Sequence, residues 1–146
     1  MFKPHPQYEA RKRSAVSLIH YVLAHKNPEA LPTHRRQLLH LLLWKLTEAE
    51  GGKYGTRFKS SGAAGCEDKK KLRHDHVFQR KRMVAALMKA APDEVDKILE
   101  TAVGCIVTVE EHDLLSSKFD KKCDGWERYR RAGIIVIDTQ TGEPME

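Results

Sequence analysis

The stretch Leu72-Arg73-His74-Asp75-His76-Val77-Phe78 decides the predicted fold. Apolar residues at its two ends enclose a tight group of ionisable side chains, which fits a β-strand carrying a polar cluster. Side chains alternate between the two faces of an ideal strand, so His74 and His76 should share one side and Asp75 should lie on the other. A cluster of this kind indicates either metal chemistry or a hydrated polar surface.

A second stretch, Thr108-Val109-Glu110-Glu111, has the T-x-x-E form of a helix capping box. It follows the apolar run Cys105-Ile106-Val107, which predicts a short buried strand. The helix that starts here would carry His112 in its first full turn. The order is therefore strand, strand and helix, with histidines on the first strand and on the helix.

The segments Arg73–Phe78 and Thr108–Leu115 together resemble the HNH, or ββα-metal, nuclease superfamily. The resemblance covers about residues 54–115. It implies that Asp75 binds a metal ion, that His76 is the catalytic general base, and that His112 completes the metal site. The expected cofactor is a divalent ion, with Mg²⁺, Mn²⁺, Zn²⁺ and Ni²⁺ all left open by such mixed oxygen and nitrogen ligands.

The reaction that the resemblance implies is metal-dependent hydrolysis of DNA phosphodiester bonds, as in an endonuclease. A histidine with a pKa near neutrality can take a proton from water, and a metal ion can polarise the phosphate. Each residue of the cluster, and His112, also has a structural alternative. His74 and His76 could be solvent-exposed imidazoles, Asp75 a partner of Arg73, and His112 a surface histidine of its helix.

Positive charge is concentrated around the histidine cluster. The chain carries a net charge of +6, and residues 51–90 hold eleven Lys or Arg against three Asp or Glu, a net charge of +8. Phosphate backbones are the commonest partners of such a segment. We predict DNA as the partner, held by Arg73, Arg80, Lys81 and Arg82; the alternative is a solvated basic surface.

The remaining pattern predicts an α+β fold, with N-terminal helices packed on a ββα-metal-like core that has inserted helices and a C-terminal strand. Helices are expected over residues 9–25, 33–50, 80–90 and 93–103, and another should open at Asp124-Gly125-Trp126. Short strands are expected over 54–58 and 134–137. We divide the chain into an N-terminal helical segment (1–52), the HNH-like core (53–138) and a loose tail (139–146).

A leucine-rich stripe over 38–46 predicts packing, either in the core or at the seam of a homodimer formed through the N-terminal helices. Trp126, Tyr129 and the neighbouring arginines could stack on bases, although such an aromatic pair more often packs a helix onto a sheet. Two other classes of function stay open beside the nuclease. One is a non-catalytic nucleic-acid-binding protein, and the other is a protein-interaction or regulatory module.

Several classes of protein are disfavoured. No apolar run approaches the ~20 residues that span a membrane, and the N-terminus lacks the apolar core of a signal peptide, so a cytoplasmic location without a membrane partner is expected. The three cysteines are odd in number and include no C-x-x-C pair, which disfavours a disulfide framework and a structural zinc knuckle: Cys66, Cys105 and Cys123. No H-E-x-x-H or G-x-S-x-G motif indicates a zinc protease or a serine hydrolase.

Overall fold

The computed structural model describes residues 1–145, and these residues contain a five-stranded mixed sheet. Glu146, the last residue of the predicted tail, lies outside the described residues. The order across the sheet is β2-β3-β1-β4-β5. The strands are β1 (Phe58–Ser60), β2 (Leu72–His76), β3 (Gly104–Thr108), β4 (Val136–Asp138) and β5 (Glu143–Pro144).

Strand β2 is an edge strand of the sheet, which we call the terminal strand, and it pairs only with β3 among the described strands. The pairing is antiparallel and sets Asp75 opposite Cys105 and His76 opposite Gly104. Strand β1 then runs parallel to β3 and antiparallel to β4. The chain enters β2 through a 3₁₀ turn at Lys69–Lys71, so this basic run stands directly at the end of the terminal strand.

Two long helices, α1 (Tyr8–Ala24) and α2 (Pro32–Glu48), form an N-terminal hairpin within two residues of the predicted bounds. Ile19, Leu39 and Leu43 are buried along its inner side. They pack with apolar side chains of α4 (Arg80–Lys89) and α5 (Val95–Leu99), which are inserted between β2 and β3. The inserted helices therefore complete a helical core that the N-terminal hairpin alone does not provide.

The opposite side of the sheet is covered by α6 (Val109–Leu114), a π-helical turn at Leu115–Phe119, and α7 (Trp126–Ala132). Helix α6 begins with the predicted capping box: the Glu111 N–H donates to Thr108 Oγ1 at 3.2 Å, and Glu111 Oε2 accepts from the Thr108 N–H at 2.8 Å. The chain thus has the order β2, β3, α6, and its fold class is α+β, as the sequence predicts.

Several predicted segments differ from the structure. The helix expected over 93–103 is a 3₁₀ turn (Pro92–Glu94) followed by α5, the strand expected over 134–137 is β4, and the tail expected to be loose contains β5. The strand expected over 54–58 occupies 58–60, because the chain first makes a tight turn in which a Cβ at Gly51 would lie 2.6 Å from the Gly55 carbonyl oxygen. The stretch after it forms a short helix, α3 (Ser61–Ala64), for which the sequence analysis predicts no regular element. Ser60 Oγ caps this helix by accepting the Ala63 N–H.

None of the helices found between residues 1 and 145 combines the length and the apolar character needed to cross a membrane.

Candidate nucleic-acid interface

The side chains of β2 separate onto two faces, as the strand pattern predicts. His74 and His76 point towards α2, where both rings contact Trp44. Asp75 points to the other side, towards α6 and α7. All three side chains are buried. The histidine cluster of the sequence is therefore two separate sites divided by the sheet.

Asp75 belongs to a buried polar centre beneath α7. Its Oδ2 accepts hydrogen bonds from the Tyr129 hydroxyl and from Arg128 Nη1, the latter at 3.1 Å. Its Oδ1 lies 3.4 Å from Arg128 Nη2 and 4.0 Å from His112 Nε2. The structure thus brings Asp75 and His112 near each other, and both oxygens of Asp75 face donors that the protein itself supplies.

Arg128 joins three parts of the chain although only 1% of the residue is exposed. Its Nη1 also donates to the carbonyl oxygens of His76 and Val77, at 3.0 and 2.9 Å. Its Nη2 pairs with Asp120 at 2.7 Å. Burial lowers the pKa of Arg128, but the charge and hydrogen bonds of Asp75 outweigh burial and the net pKa is raised. Arg128 is thus a fully charged cation inside the protein.

A metal ion does not fit this centre as it is arranged. Between residues 1 and 145, no three His, Cys, Asp or Glu side chains converge in a way that could hold a metal. The Asp75 carboxylate, which the resemblance assigns to the ion, already carries the Arg128 guanidinium. A second cation would meet that guanidinium at short range and would be repelled by it.

His76 lies in a different environment, on the α2 side of the sheet. Its Nε2 is 3.0 Å from Thr47 Oγ1, and His74 Nε2 is 3.2 Å from the same oxygen. His74 Nδ1 contacts the Lys53 carbonyl oxygen at 2.8 Å and must donate to it. Neutral His74 therefore carries its proton on Nδ1 and leaves Nε2 as an acceptor. The Thr47 hydroxyl also lies 3.1 Å from the Trp44 carbonyl oxygen, to which it can donate.

Trp44 closes this site from outside. Its ring stacks on His76 with the centroids 4.6 Å apart, and the Arg80 guanidinium lies 4.9 Å from the Trp44 ring centroid. Burial lowers the pKa of His76 to about 2, helped by His74 and Arg80. The residue is 8% exposed. His76 is thus a neutral, packed imidazole, and the structure does not bring it together with Asp75 and His112.

The predicted DNA-contacting residues surround the terminal strand. Arg73 is the exposed residue of β2, Lys81 and Arg82 are exposed at the start of α4, and Arg80 is half-buried against Trp44. The run Lys69–Lys71 is exposed at the other end of β2. We call the exposed members of this group the cationic edge: Lys69, Lys70, Lys71, Arg73, Lys81 and Arg82.

Sequence reasoning missed the residues that define the two buried sites. For Arg128 and Tyr129 the sequence indicates only two roles, stacking on bases or packing of a helix onto the sheet. The packing role fits Tyr129, which is 1% exposed. Thr47 gave no signal, because one threonine on a helix does not indicate which strand it will meet. The structure also has a cleft of about 670 Å³ between α1 and the sheet, with Tyr8, Glu50 and Phe58 in its wall.

Comparison with known proteins gives no relative: no protein-family model, no curated protein and no solved structure matches this chain.

Proposed function

We propose that this protein binds nucleic acid through the cationic edge. The observation that carries the proposal is the placement of exposed cations at both ends of β2, the terminal strand of the sheet. Lys69–Lys71 precede the strand, Arg73 lies on it, and Lys81 and Arg82 follow it. Such a row of cations attracts a polyanion, and neutralised phosphates release counterions on binding.

The buried groups nearby favour binding over catalysis by His76. Its imidazole is packed between Trp44 and Thr47 and is buried. A general base must reach the proton that it removes within hydrogen-bond distance or through one water. The proposal therefore uses the cationic edge alone, in a cytoplasmic protein whose partner is DNA.

The test is a salt series of DNA binding by fluorescence anisotropy, with the variant K69Q/K70Q/K71Q beside the unmodified protein. We expect the affinity to fall steeply between 50 and 200 mM salt. Each lost phosphate contact should reduce the salt slope by about 0.9 for a duplex, so the triple variant should lose about two to three from the slope.

The control variant is R11Q/K12Q/R13Q, which removes the same charge from three consecutive exposed residues of α1. We expect it to bind with nearly the unmodified slope, since these residues lie on the N-terminal hairpin and not around β2. Equal losses in both variants would show a diffuse attraction to the whole molecule and would contradict a defined edge.

Metal-dependent DNA cleavage is the second candidate. Two observations favour it: the elements follow in the order β2, β3, α6, and Asp75 Oδ1 on β2 lies 4.0 Å from His112 Nε2 on α6. A divalent ion between them would have to compete with Arg128 for Asp75. If the protein only binds DNA, we expect no cleavage, because the Arg128 guanidinium already pairs with the Asp75 carboxylate.

Supercoiled plasmid separates the two candidates. The protein is incubated with EDTA or with Mg²⁺, Mn²⁺, Zn²⁺ or Ni²⁺, together with the variants H112A and H76A. Nicking that requires a metal and disappears in H112A would establish the second candidate. Nicking that disappears in H76A alone would assign the base to His76, as the family resemblance implies.

A further inference from the structure

We infer that the cationic edge takes double-stranded DNA in preference to single-stranded DNA, and that it contacts phosphates without stacking on bases. This inference rests on the proposed nucleic-acid-binding function and specifies its ligand. It follows from two features of the surface: no exposed Trp, Tyr or Phe side chain belongs to it, and its cations lie before β2, on β2 at Arg73, and after β2 at the start of α4.

Proteins that hold single strands without sequence preference combine cations with exposed aromatic rings, and each stacked base contributes about 1–3 kcal/mol. The cationic edge has no such ring. Among the Trp, Tyr and Phe side chains of residues 1–145, only that of Tyr21, on α1, is exposed. Single-strand binding at this edge would therefore lack the stacking energy that usually supports it.

Trp44 is the aromatic residue that best illustrates this point. It is next to the edge, but Arg80 covers its ring at 4.9 Å and His76 stacks on it at 4.6 Å. A base could reach the ring only by displacing Arg80. Tyr54 and Phe78 are also half-buried, with Lys53 lying 5.3 Å from the Tyr54 ring centroid.

The length of the edge favours the ligand with the denser charge. The five residues of β2 extend over about 17 Å at ~3.4 Å per residue. A duplex carries one phosphate charge per ~1.7 Å of its axis, about twice the linear charge density of one strand at ~3.4 Å, so it attracts cations along this length more strongly. Cations at both ends of β2 can therefore engage a duplex at several points.

The expected preference can be estimated from the salt exponents. Six phosphate contacts give exponents of about 5.4 for a duplex and about 4.2 for a single strand, at ~0.9 and ~0.7 per contact. The difference of about 1.2 corresponds to roughly tenfold tighter binding of the duplex at 0.1 M salt. Stacking is the one contribution that would reverse this order, and the edge does not offer it.

The experiment compares a fluorescently labelled 20-base-pair duplex with each of its two strands and with oligo-dT of the same length. Anisotropy titrations at 50, 100 and 200 mM salt give affinities and slopes for the full-length protein. We expect the duplex to bind about tenfold more tightly at 100 mM, with the steeper slope. R73Q should weaken duplex binding and reduce its slope by about 0.9.

Equal or tighter binding of the single strands would overturn the inference and leave the proposed function standing. Failure of every ligand to bind in a salt-dependent way would overturn both. A duplex preference that persists in R73Q with an unchanged slope would also contradict the inference, because the contact surface would then lie away from β2.

Discussion

Gly104 shows how a single residue holds the buried histidines in place. A Cβ built on this residue would lie 2.6 Å from His74 Nε2 and 3.0 Å from Thr56 Cγ2. Thr56 is fully buried, and His74 is held by its hydrogen bonds to Thr47 and Lys53. Neither neighbour can therefore move away without disturbing buried packing or breaking these hydrogen bonds. We expect G104A to lower the free energy of unfolding by about 1–3 kcal/mol in urea titrations.

The matched control is G65A. Nothing lies within 4 Å of a Cβ built on Gly65, and its φ of −95° is open to any residue. We expect this variant to keep the stability of the unmodified protein within about 0.5 kcal/mol. If G104A were as stable as G65A, the close packing of His74 against β3 would be wrong.

His74 and His76 also predict how stability depends on pH. Burial lowers the pKa of each imidazole in the folded state, while an unfolded histidine titrates near pH ~6.5. The unfolded state therefore binds more protons below about pH 6.5, and stability is full above that pH and falls as the pH decreases. One such imidazole contributes at most about 1.4 kcal/mol per pH unit.

The measurement is the free energy of unfolding between pH 7 and pH 4.5 for the unmodified protein, H76Q and H25Q. Glutamine at position 76 cannot take up the proton, so H76Q should show the shallower slope whatever its stability at pH 7. His25 is exposed at the end of α1, and H25Q should follow the unmodified protein. Parallel curves for all three would exclude His76 as a source of acid lability.

At the scale of elements, an internal ion pair fastens α7 to β2. Arg128 bonds the Asp75 side chain and two carbonyl oxygens beyond it, and Tyr129 adds its hydroxyl. Removing one member of a buried pair leaves the other charge without compensation, at a cost of about 3–5 kcal/mol. We expect D75N to lose about this much stability in thermal and urea unfolding.

E127Q is the control, because it breaks two ion pairs of the same helix at its surface. Glu127 pairs with Arg130 at 3.0 Å and with Arg131 at 2.8 Å, where water screens the interaction. Exposed pairs of this kind add little to stability, so E127Q should unfold almost as the unmodified protein does. If D75N lost as little stability as E127Q, the buried charge of Arg128 would not need Asp75 for its compensation.

The same pair predicts that the protein does not need a metal ion to fold. Arg128 already supplies the positive charge beside Asp75, so chelation with EDTA should leave the melting temperature unchanged. Added Zn²⁺ or Ni²⁺ should not raise it, because a ligand stabilises a protein only by binding the folded state more tightly. A rise that disappears in H112A would instead reveal a metal site between Asp75 and His112.

The elements that could be predicted are those whose signals are local. The Thr108–Glu111 capping box fixed the start of α6, and the alternation along 72–76 correctly separated Asp75 from His74 and His76. What could not be predicted is the contact between Arg128 and Asp75, which are 53 positions apart. No periodicity or spacing relates them; only the packing of α7 under the sheet does.

At the scale of the whole molecule, the exposed apolar side chains are concentrated on the N-terminal hairpin. Leu39, Leu43 and Leu46 of the predicted leucine stripe are buried, whereas Leu38 of the stripe and Leu41 beside it are about half exposed, at 48% and 52%. Leu18 and Tyr21 of α1 are exposed as well. The stripe thus divides between core and surface, and the exposed part is where the predicted homodimer would form.

Sedimentation velocity decides between the two alternatives for the stripe, core packing and a homodimer seam. A homodimer through the hairpin would appear as a concentration-dependent dimer that L38S/L41S shifts towards monomer, since two apolar side chains are removed from the seam. I135S is the control, because Ile135 is the exposed apolar residue just before β4, at 57%, and lies outside the hairpin. A monomer at all concentrations would refute the homodimer, and a dimer lost only in I135S would move the seam to the β4 region. The salt dependence of DNA binding should be the same in L38S/L41S, because the residues of the cationic edge lie on β2, on the turn before it and on α4, and none lies on the hairpin.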